Sequence, residues 1–350
     1  MLPKIHIHLK KYQENIDYLT HLAHMYGLSV MVVSKVFCAD QELVNVINLT
    51  QVDMIADSKI RNLEKINTLK PKVLLRIPQL SEALDVVKYS DISLNSELNV
   101  IKELNEKAKF MFKKHKIILM FDLGDLREGI YYKDDYLHII DEILSLEYIE
   151  LYGIGTNLTC YGGVIPTVET LDKLKHIKEN IESNFNIKLE MISGGNSSAL
   201  PMLFKEELPK FITNLRIGEA FVLGRETAYG TLIPSMHDDV FTCEAEVIEI
   251  KDKPSLPEGE LGMDAFGQKV QFEDKGMMKR AILGIGRQEV DCKHLIPPEG
   301  IEIIGCSSDH LIVSINKGNY HIGDSITFKL TYGGILSLMT SPYMKRVYHE

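Results

Sequence analysis

Five short segments of the chain carry side chains that could do chemistry together. Lys35 stands in MVVSKVF, Arg127 in FDLGDLREG and Asn157 in GIGTNLT; Gly194, Gly195, Asn196 and Ser197 stand in ISGGNSSAL, and Arg216 in NLRIGEA. A lysine inside an apolar run is costly to bury as a cation, and the cost falls if its pKa drops or if it becomes an imine. That is the physical case for a lysine that forms a Schiff base; the alternative is a lysine that snorkels from a strand end into solvent. SGGNSS offers backbone N–H groups, hydroxyls and the positive end of a following helix, a cradle suited to a phosphate monoester. RIGEA adds a second group of amides beside Gly218. Either segment alone reads as an ordinary turn. Arg216 cannot give up its proton, so a ring nitrogen facing it stays unprotonated and acts as an acceptor. Its alternative is a structural ion pair.

Such groups need a scaffold that brings distant segments to one place, and the apolar pattern supplies one. Eight runs rich in Val, Ile and Leu recur at 29–36, 53–56, 72–77, 91–94, 116–122, 149–156, 187–193 and 211–216. Helix-like stretches separate most of them, as at 58–68, 95–112, 134–146 and 168–183, and another is expected at 11–25. Strands alternating with helices imply parallel pairing, and eight units are what a closed (β/α)8 barrel needs. An open doubly wound sheet is the alternative, but no Gly-rich fingerprint follows the first strand. In a barrel the functional groups gather at the C-terminal strand ends. The five segments fall at the ends of strands one, five, six, seven and eight, and the loops after the last two are a recurrent phosphate site. Past residue 230 the texture changes to strand-like segments at 240–250, 279–285, 301–304, 311–315 and 325–330, divided by Gly, Pro, Asp and Asn turns. We therefore expect a barrel over 10–230 and an all-β domain over 231–350, joined by an opening strand within 1–9.

Composition removes other classes. A net charge of −10 and a pI near 5.7 argue against nucleic acid as a partner, since that affinity rests on clustered Lys and Arg. MLPKIHIHLKKYQ alternates apolar and polar residues, unlike a signal peptide, and no run of about 18 apolar residues occurs, so a cytoplasmic protein without a membrane partner is expected. Cys38, Cys160, Cys243, Cys292 and Cys306 are scattered and free of CxxC spacing; neither a disulfide framework nor a zinc site is suggested. The 12 histidines show no ligand spacing either, and no metal is expected.

Taken together, these segments resemble the fold-type III pyridoxal-phosphate enzymes of the alanine racemase superfamily, and more closely its branch of amino-acid racemases that includes ornithine racemase. The resemblance spans nearly the whole chain. It is carried by VVSKVF, DLGDLREG, GIGTNLTCYGG, SGGNSSAL, LRIGEAFVLG, GCSSDHL and MTSPYMK. It implies pyridoxal 5'-phosphate as cofactor, with Lys35 forming the Schiff base and serving as one acid/base. Arg216 would contact the pyridine nitrogen, which weakens the cofactor as an electron sink and favours proton exchange at Cα over transamination. Ser197 and the amides of Gly218 and Glu219 would hold the phosphate, helped by Tyr343, with Asn157 and Asn196 beside the cofactor. Arg127 would sit near the cofactor phenolate and the substrate carboxylate. Ser308 and Asp309 match a pair that lines the substrate entrance from the neighbouring subunit, so a head-to-tail homodimer is implied. The resemblance points to a free amino acid as substrate, ornithine or lysine first, and Asp125 and Asp309 are acids expected near its pocket.

Three departures stand out. Alanine racemases carry a tyrosine four residues after the lysine, here Ala39; a histidine where this chain has Asn157; and an opposite-face tyrosine where the simplest alignment puts Met263. The second proton carrier is therefore open among Asp264, Asp309, His310 and a tyrosine from another loop. Rival readings are a pyridoxal-phosphate carrier or homeostasis protein, which typically lacks the second domain, and a fold-type III amino-acid decarboxylase, which needs a longer chain. A metal-dependent aldolase would call for a His/Asp ligand cluster, which the histidines do not space, and a lysine aldolase has no use for two phosphate cradles and Arg216.

Overall fold

From residue 29 onward the apolar runs form a ring. In a computed structural model that describes residues 3–263, 266, 267, 269 and 271–350, the barrel strands are β1 (Ser29–Val33), β2 (Met54–Asp57), β3 (Lys72–Leu74), β4 (Ile92–Asn95), β5 (His115–Asp122), β6 (Ile149–Gly155), β7 (Met191–Ser193) and β8 (Asn214–Ile217). Each pairs in parallel with the next, and β8 returns to β1 with Asn214 opposite Ser29 and Ile217 opposite Val32. Closure leaves none of the eight as an edge, and the open doubly wound alternative is excluded.

Alternate residues point inward. Met31, Val33, Met54, Ala56, Val73, Ile92, Leu94, Ile118, Met120 and Met191 form one buried cluster inside the ring. Where β6 crosses that interior there is no room for a side chain. A Cβ on Gly153 would lie 2.0 Å from the Met191 carbonyl oxygen, and one on Gly155 would lie 3.1 Å from the Ser193 Cβ. The glycines of YGIG are thus a packing requirement. Helices Leu9–Met25, Gln41–Leu49, Leu98–Phe110 and Val168–Phe185 are among those covering the ring, each burying one apolar face. Asp40 caps the second of these by accepting the Glu42 and Leu43 amides at 3.2 and 3.5 Å.

The chain divides into two compact units, Lys11–Asp238 and a second made of Met1–Lys10 with Asp239–Glu350. In the second, β9 (Phe241–Pro254), β10 (Met277–Leu283), β11 (Ile301–Cys306), β12 (Leu311–Ile315) and β13 (Ser325–Leu330) pair antiparallel. The opening strand Lys4–His8 joins β9 antiparallel, and β14 (Lys345–His349) runs parallel beside it. Along the start of β9, Phe241, Cys243, Ala245 and Val247 are buried while Thr242, Glu244 and Glu246 are not, the alternation of a sheet with one covered face. The unit is strand-rich but not all-β, because Tyr332–Thr340 is a helix. Its buried Ile335, Leu338 and Met339 recur at helical spacing. Among the described residues, no helix is long and apolar enough to cross a membrane.

Candidate active site

β1 ends at Val33, two residues short of the lysine, and Lys35–Phe37 form a turn of 3-10 helix. Ser34 is pulled toward β2: its Oγ donates to Asp57 Oδ2 at 2.6 Å and lies 3.3 Å from the Ala56 carbonyl. Burial pushes the Asp57 carboxyl above its ordinary range, against the opposing hydrogen bonds from Ser34, the Lys59 amide and Asn62. After the turn, Cys38 and Ala39 both take left-handed backbone at φ 55° and 52°, a conformation that costs about 1 kcal/mol or more per residue outside glycine. The result is that Lys35 stands exposed at the rim while Ser34 and Val36 are buried. The desolvation argument for its chemistry therefore does not hold; what singles it out is its place at a strand end.

Arg216, only 4% exposed, points into the barrel. Its guanidinium donates to Ser193 Oγ at 2.5 Å, to the Thr156 carbonyl at 2.6 Å and to Asn157 Oδ1 at 3.4 Å. These are neutral acceptors, so the arginine is held by oriented dipoles rather than by a direct ion pair. Burial pushes its pKa down to about 10, with Glu128 and Cys160 acting in the other direction. Ser193 in turn donates to Asn214 Oδ1 at 2.7 Å, and the Asn214 amide reaches the Ser29 carbonyl and hydroxyl at 3.2 and 3.1 Å. A polar chain thus runs across β7, β8 and β1 beneath the mouth.

Two loops beside Arg216 meet. Gly194 is enclosed, since a Cβ there would lie 2.6 Å from Ile212 Cγ2, and Gly195 has φ +121°. Asn196 fixes the next turn by accepting the Ser198 amide at 2.8 Å while its own amide donates to Asn157 Oδ1 and the Leu158 carbonyl, both at 2.9 Å. Ser197 Oγ accepts from the Ala220 amide at 3.4 Å, which joins the loop after β7 to the loop after β8. Ser198 Oγ is buried without a partner among the described residues. Gly218 packs against the end of β1, where a Cβ would lie 3.0 Å from Val33 Cβ. Burial pushes the neighbouring Glu219 carboxyl upward, opposed by the charges of Arg225 and Lys35. Lys35, Gly218, Glu219 and Ser197 therefore share one end of the barrel.

On the opposite side of the mouth, Arg127 is exposed and gripped by Glu128, with Nε 2.5 Å from Oε2 and Nη2 2.6 Å from Oε1. Glu128 also accepts from the Asn157 amide at 3.3 Å, and Cys160 Sγ accepts from Asn157 and Asn196, each at 3.3 Å. Sequence reasoning passed over Glu128 and Cys160; both lie in the quoted segments DLREG and LTCYGG, but neither pattern marks them. Asp125 is not free to recruit a basic substrate. It is fully buried, and its oxygens accept the amides of Thr159, Cys160, Tyr161 and Val164 at 3.0, 3.1, 2.9 and 3.0 Å.

The remaining candidates belong to the second unit. Ser307 and His310 close the turn between β11 and β12, with the Ser307 amide 2.8 Å from the His310 carbonyl. Within it Asp309 accepts from the hydroxyls of Ser307 and Ser308 at 3.2 and 3.1 Å and pairs with His310 Nδ1 at 3.2 Å. The Ser308 hydrogen bond comes first among the causes that hold the Asp309 carboxyl below its ordinary range. Tyr343 and Met263 are exposed, and Asp264 lies outside the described residues.

A family described as alanine racemase, N-terminal domain, matches residues 7–225, the span that holds the ring and its rim. The chain belongs to this family. Among characterised relatives, an ornithine racemase of Acetoanaerobium sticklandii is 49% identical over 99% of both chains. A lysine racemase of Thermotoga maritima is 39% identical over 99% of this chain and 98% of its own. The alanine racemase of Bartonella henselae, solved with covalently bound pyridoxal phosphate, superposes with a TM-score of 0.76 at 16% identity over the full length of both chains. That likeness extends the family fold beyond the matched barrel to the strand-rich second unit.

Proposed function

We propose that the chain is a pyridoxal-phosphate-dependent amino-acid racemase that interconverts the enantiomers of ornithine. The observation that carries this reading is the identity of 49% with an ornithine racemase along 99% of both chains. Lysine is the second substrate to test, given the relative at 39%. The two joined loops at the rim fit the cofactor's phosphate: an orphaned buried Ser198 hydroxyl lies in one, and the other has a glycine where a Cβ would press on Val33. Ser197 and the amides of Gly218 and Glu219 would hold it, with Tyr343 helping and Asn157 and Asn196 alongside. Lys35 would be the covalent anchor.

When bound, pyridoxal phosphate delocalises the electron pair left behind as Cα loses its proton. Arg216 would face the pyridine nitrogen and keep it unprotonated, which limits that delocalisation and favours return of the proton over transfer of the amino group. The carbonyl and side-chain acceptors around Arg216 fix its orientation before any ligand arrives. Lys35, which stands at the rim, would remove or return the Cα proton on one face. Arg127, held by Glu128, would take the substrate carboxylate and the cofactor phenolate. A second proton carrier is needed on the other face. Asp309 and His310 are candidates from the second unit, and Ser308 and Asp309 of a second copy would line the entrance in a head-to-tail homodimer.

The test is proton NMR of the protein with L-ornithine in D2O, with L-lysine and L-alanine alongside and optical rotation followed in the same samples. Deuterium enters Cα of ornithine and rotation decays to zero, while Lys35→Ala lowers the rate on the order of 10⁴-fold. Absence of exchange in protein that carries bound cofactor would overturn the reading in favour of a carrier protein.

A further inference from the structure

Cys292 and Cys306 are 14 residues apart in sequence, yet the structure brings them together. Cys292 opens a 3-10 turn, Cys292–His294, for which Asp291 is the N-cap, its Oδ1 accepting from the Lys293 amide at 3.2 Å. Cys306 is the last residue of β11. One carboxylate oxygen of Asp291 and the two sulfurs all lie within 4.8 Å of one another, and all three residues are half-buried. We propose that Asp291, Cys292 and Cys306 form a binding site for a thiophilic d10 divalent cation of the zinc and cadmium class.

The geometry suits that ion. Two thiolates on a tetrahedral zinc stand about 3.8 Å apart, given metal–sulfur bonds of about 2.3 Å, and a carboxylate oxygen completes a set of three with one position left open. Thiolate ligands in such sites are steadied by N–H donors from outside the coordination sphere. Here Arg287 supplies one, its Nε donating to Cys306 Sγ at 3.4 Å, and its guanidinium rests 3.9 Å from the centroid of the Phe266 ring. The surrounding charge suits two thiolates and a carboxylate: Arg287 faces Cys306, and Lys293 Nζ lies 3.4 Å from Asp291 Oδ2. A disulfide would use the sulfurs and give Asp291 no part.

Thiol ligands give up their protons when they bind a cation, so uptake releases protons and affinity rises with pH. The site also has a mechanical consequence. Cys306 leads directly into the turn that carries Ser308 and Asp309, and the main chain beside Arg287 already pins that turn through the Arg287 amide to the Ser307 carbonyl at 3.0 Å and the Gln288 amide to the Ser308 carbonyl at 2.9 Å. A bound cation would tie the base of the same turn to the Cys292–His294 segment. None of this depends on the reaction proposed above.

The test titrates the reduced full-length protein with cadmium and follows the thiolate-to-metal charge-transfer absorption, with cobalt as a reporter of tetrahedral geometry. Wild-type protein takes up one cation per chain, more tightly at higher pH, and the cation slows amide hydrogen exchange in the turn between β11 and β12. Cys292→Ser and Cys306→Ser each lose the band. Asp291→Asn, which leaves both thiols in place, weakens binding roughly 10-fold, and Cys160→Ser in the other unit retains it. Circular dichroism confirms that each variant is folded. No band in reduced wild-type protein, or a band that survives in the Cys292→Ser/Cys306→Ser double variant, would overturn the proposal. So would loss of two hydrogens on oxidation by peroxide with no cadmium uptake after reduction, which would make the cysteines a redox pair instead.

Discussion

A carboxylate removed from water persists only where donors surround it, and Asp125 has four main-chain amides at hydrogen-bonding distance. Burial acts to raise its pKa, but the amides of Tyr161, Val164 and Cys160 act more strongly and hold it below the ordinary range. A depressed folded pKa means stability that is present above the unfolded value and lost as the pH falls through the folded one. Asp125→Asn would turn an amide nitrogen toward amide donors, and we expect it to lower stability by about 2–4 kcal/mol, measured by urea unfolding at neutral pH. Equal stability of the two proteins would show that the loop holds itself without this residue. Residue types and their order marked Lys35, Arg216 and the glycine loops as candidates, because each carries a pattern. They could not reveal the exposure of Lys35. That depends on a serine bonded to the next strand and on two left-handed residues, none of which leaves a mark in local hydropathy.

At the level of elements, the runs of Val, Ile and Leu located every barrel strand, while their ends moved. The run at 29–36 stops at Val33 because Ser34 is drawn to Asp57, and the run at 187–193 pairs only over Met191–Ser193. The alternation in KIHIH marked the opening strand but not its partners, which lie more than two hundred residues away. One side chain concentrates that long-range pairing. Glu244 on β9 accepts from Lys4 Nζ at 2.6 Å, from Ser325 Oγ at 3.0 Å, and meets His6 Nε2 at 2.8 Å. The Lys4 hydrogen bond leads the causes that hold its pKa down to about 2, against an ordinary 4.5. The clamp therefore contributes fully above pH 4.5 and fades as the pH falls toward 2. Solvent screening at this half-buried position leaves it worth about 0.5–1 kcal/mol. Glu244→Gln should remove that part of the acid dependence, seen as a flatter plot of unfolding free energy against pH below 4.5. An unchanged slope would assign the acid sensitivity to other carboxylates.

For the whole molecule, the proposed chemistry is divided between two units. Lys35, Arg127, Asn157, Asn196, Ser197, Arg216, Gly218 and Glu219 belong to the barrel unit, while Ser308, Asp309 and Tyr343 belong to the other. That division became readable in the sequence once the texture changed past residue 230, whereas the meeting of Cys292 with Cys306 did not, since only tertiary pairing brings those segments together. A head-to-tail homodimer makes a specific demand on the division. If the barrel of one copy is completed by Ser308 and Asp309 of another, Lys35→Ala protein and Ser308→Ala/Asp309→Ala protein are each defective in every site. A hybrid of the two has one site with both defects and one with neither. Unfolding an equal mixture and refolding it together should then restore about a quarter of the wild-type rate, because random pairing makes half of the dimers hybrids and half of the hybrid's sites intact. Refolding each variant separately before mixing should restore nothing. If the co-refolded mixture gains no activity although hybrids are present by native mass spectrometry, each barrel is served by its own second unit, and the role of the Ser307–His310 turn must be sought within a single chain.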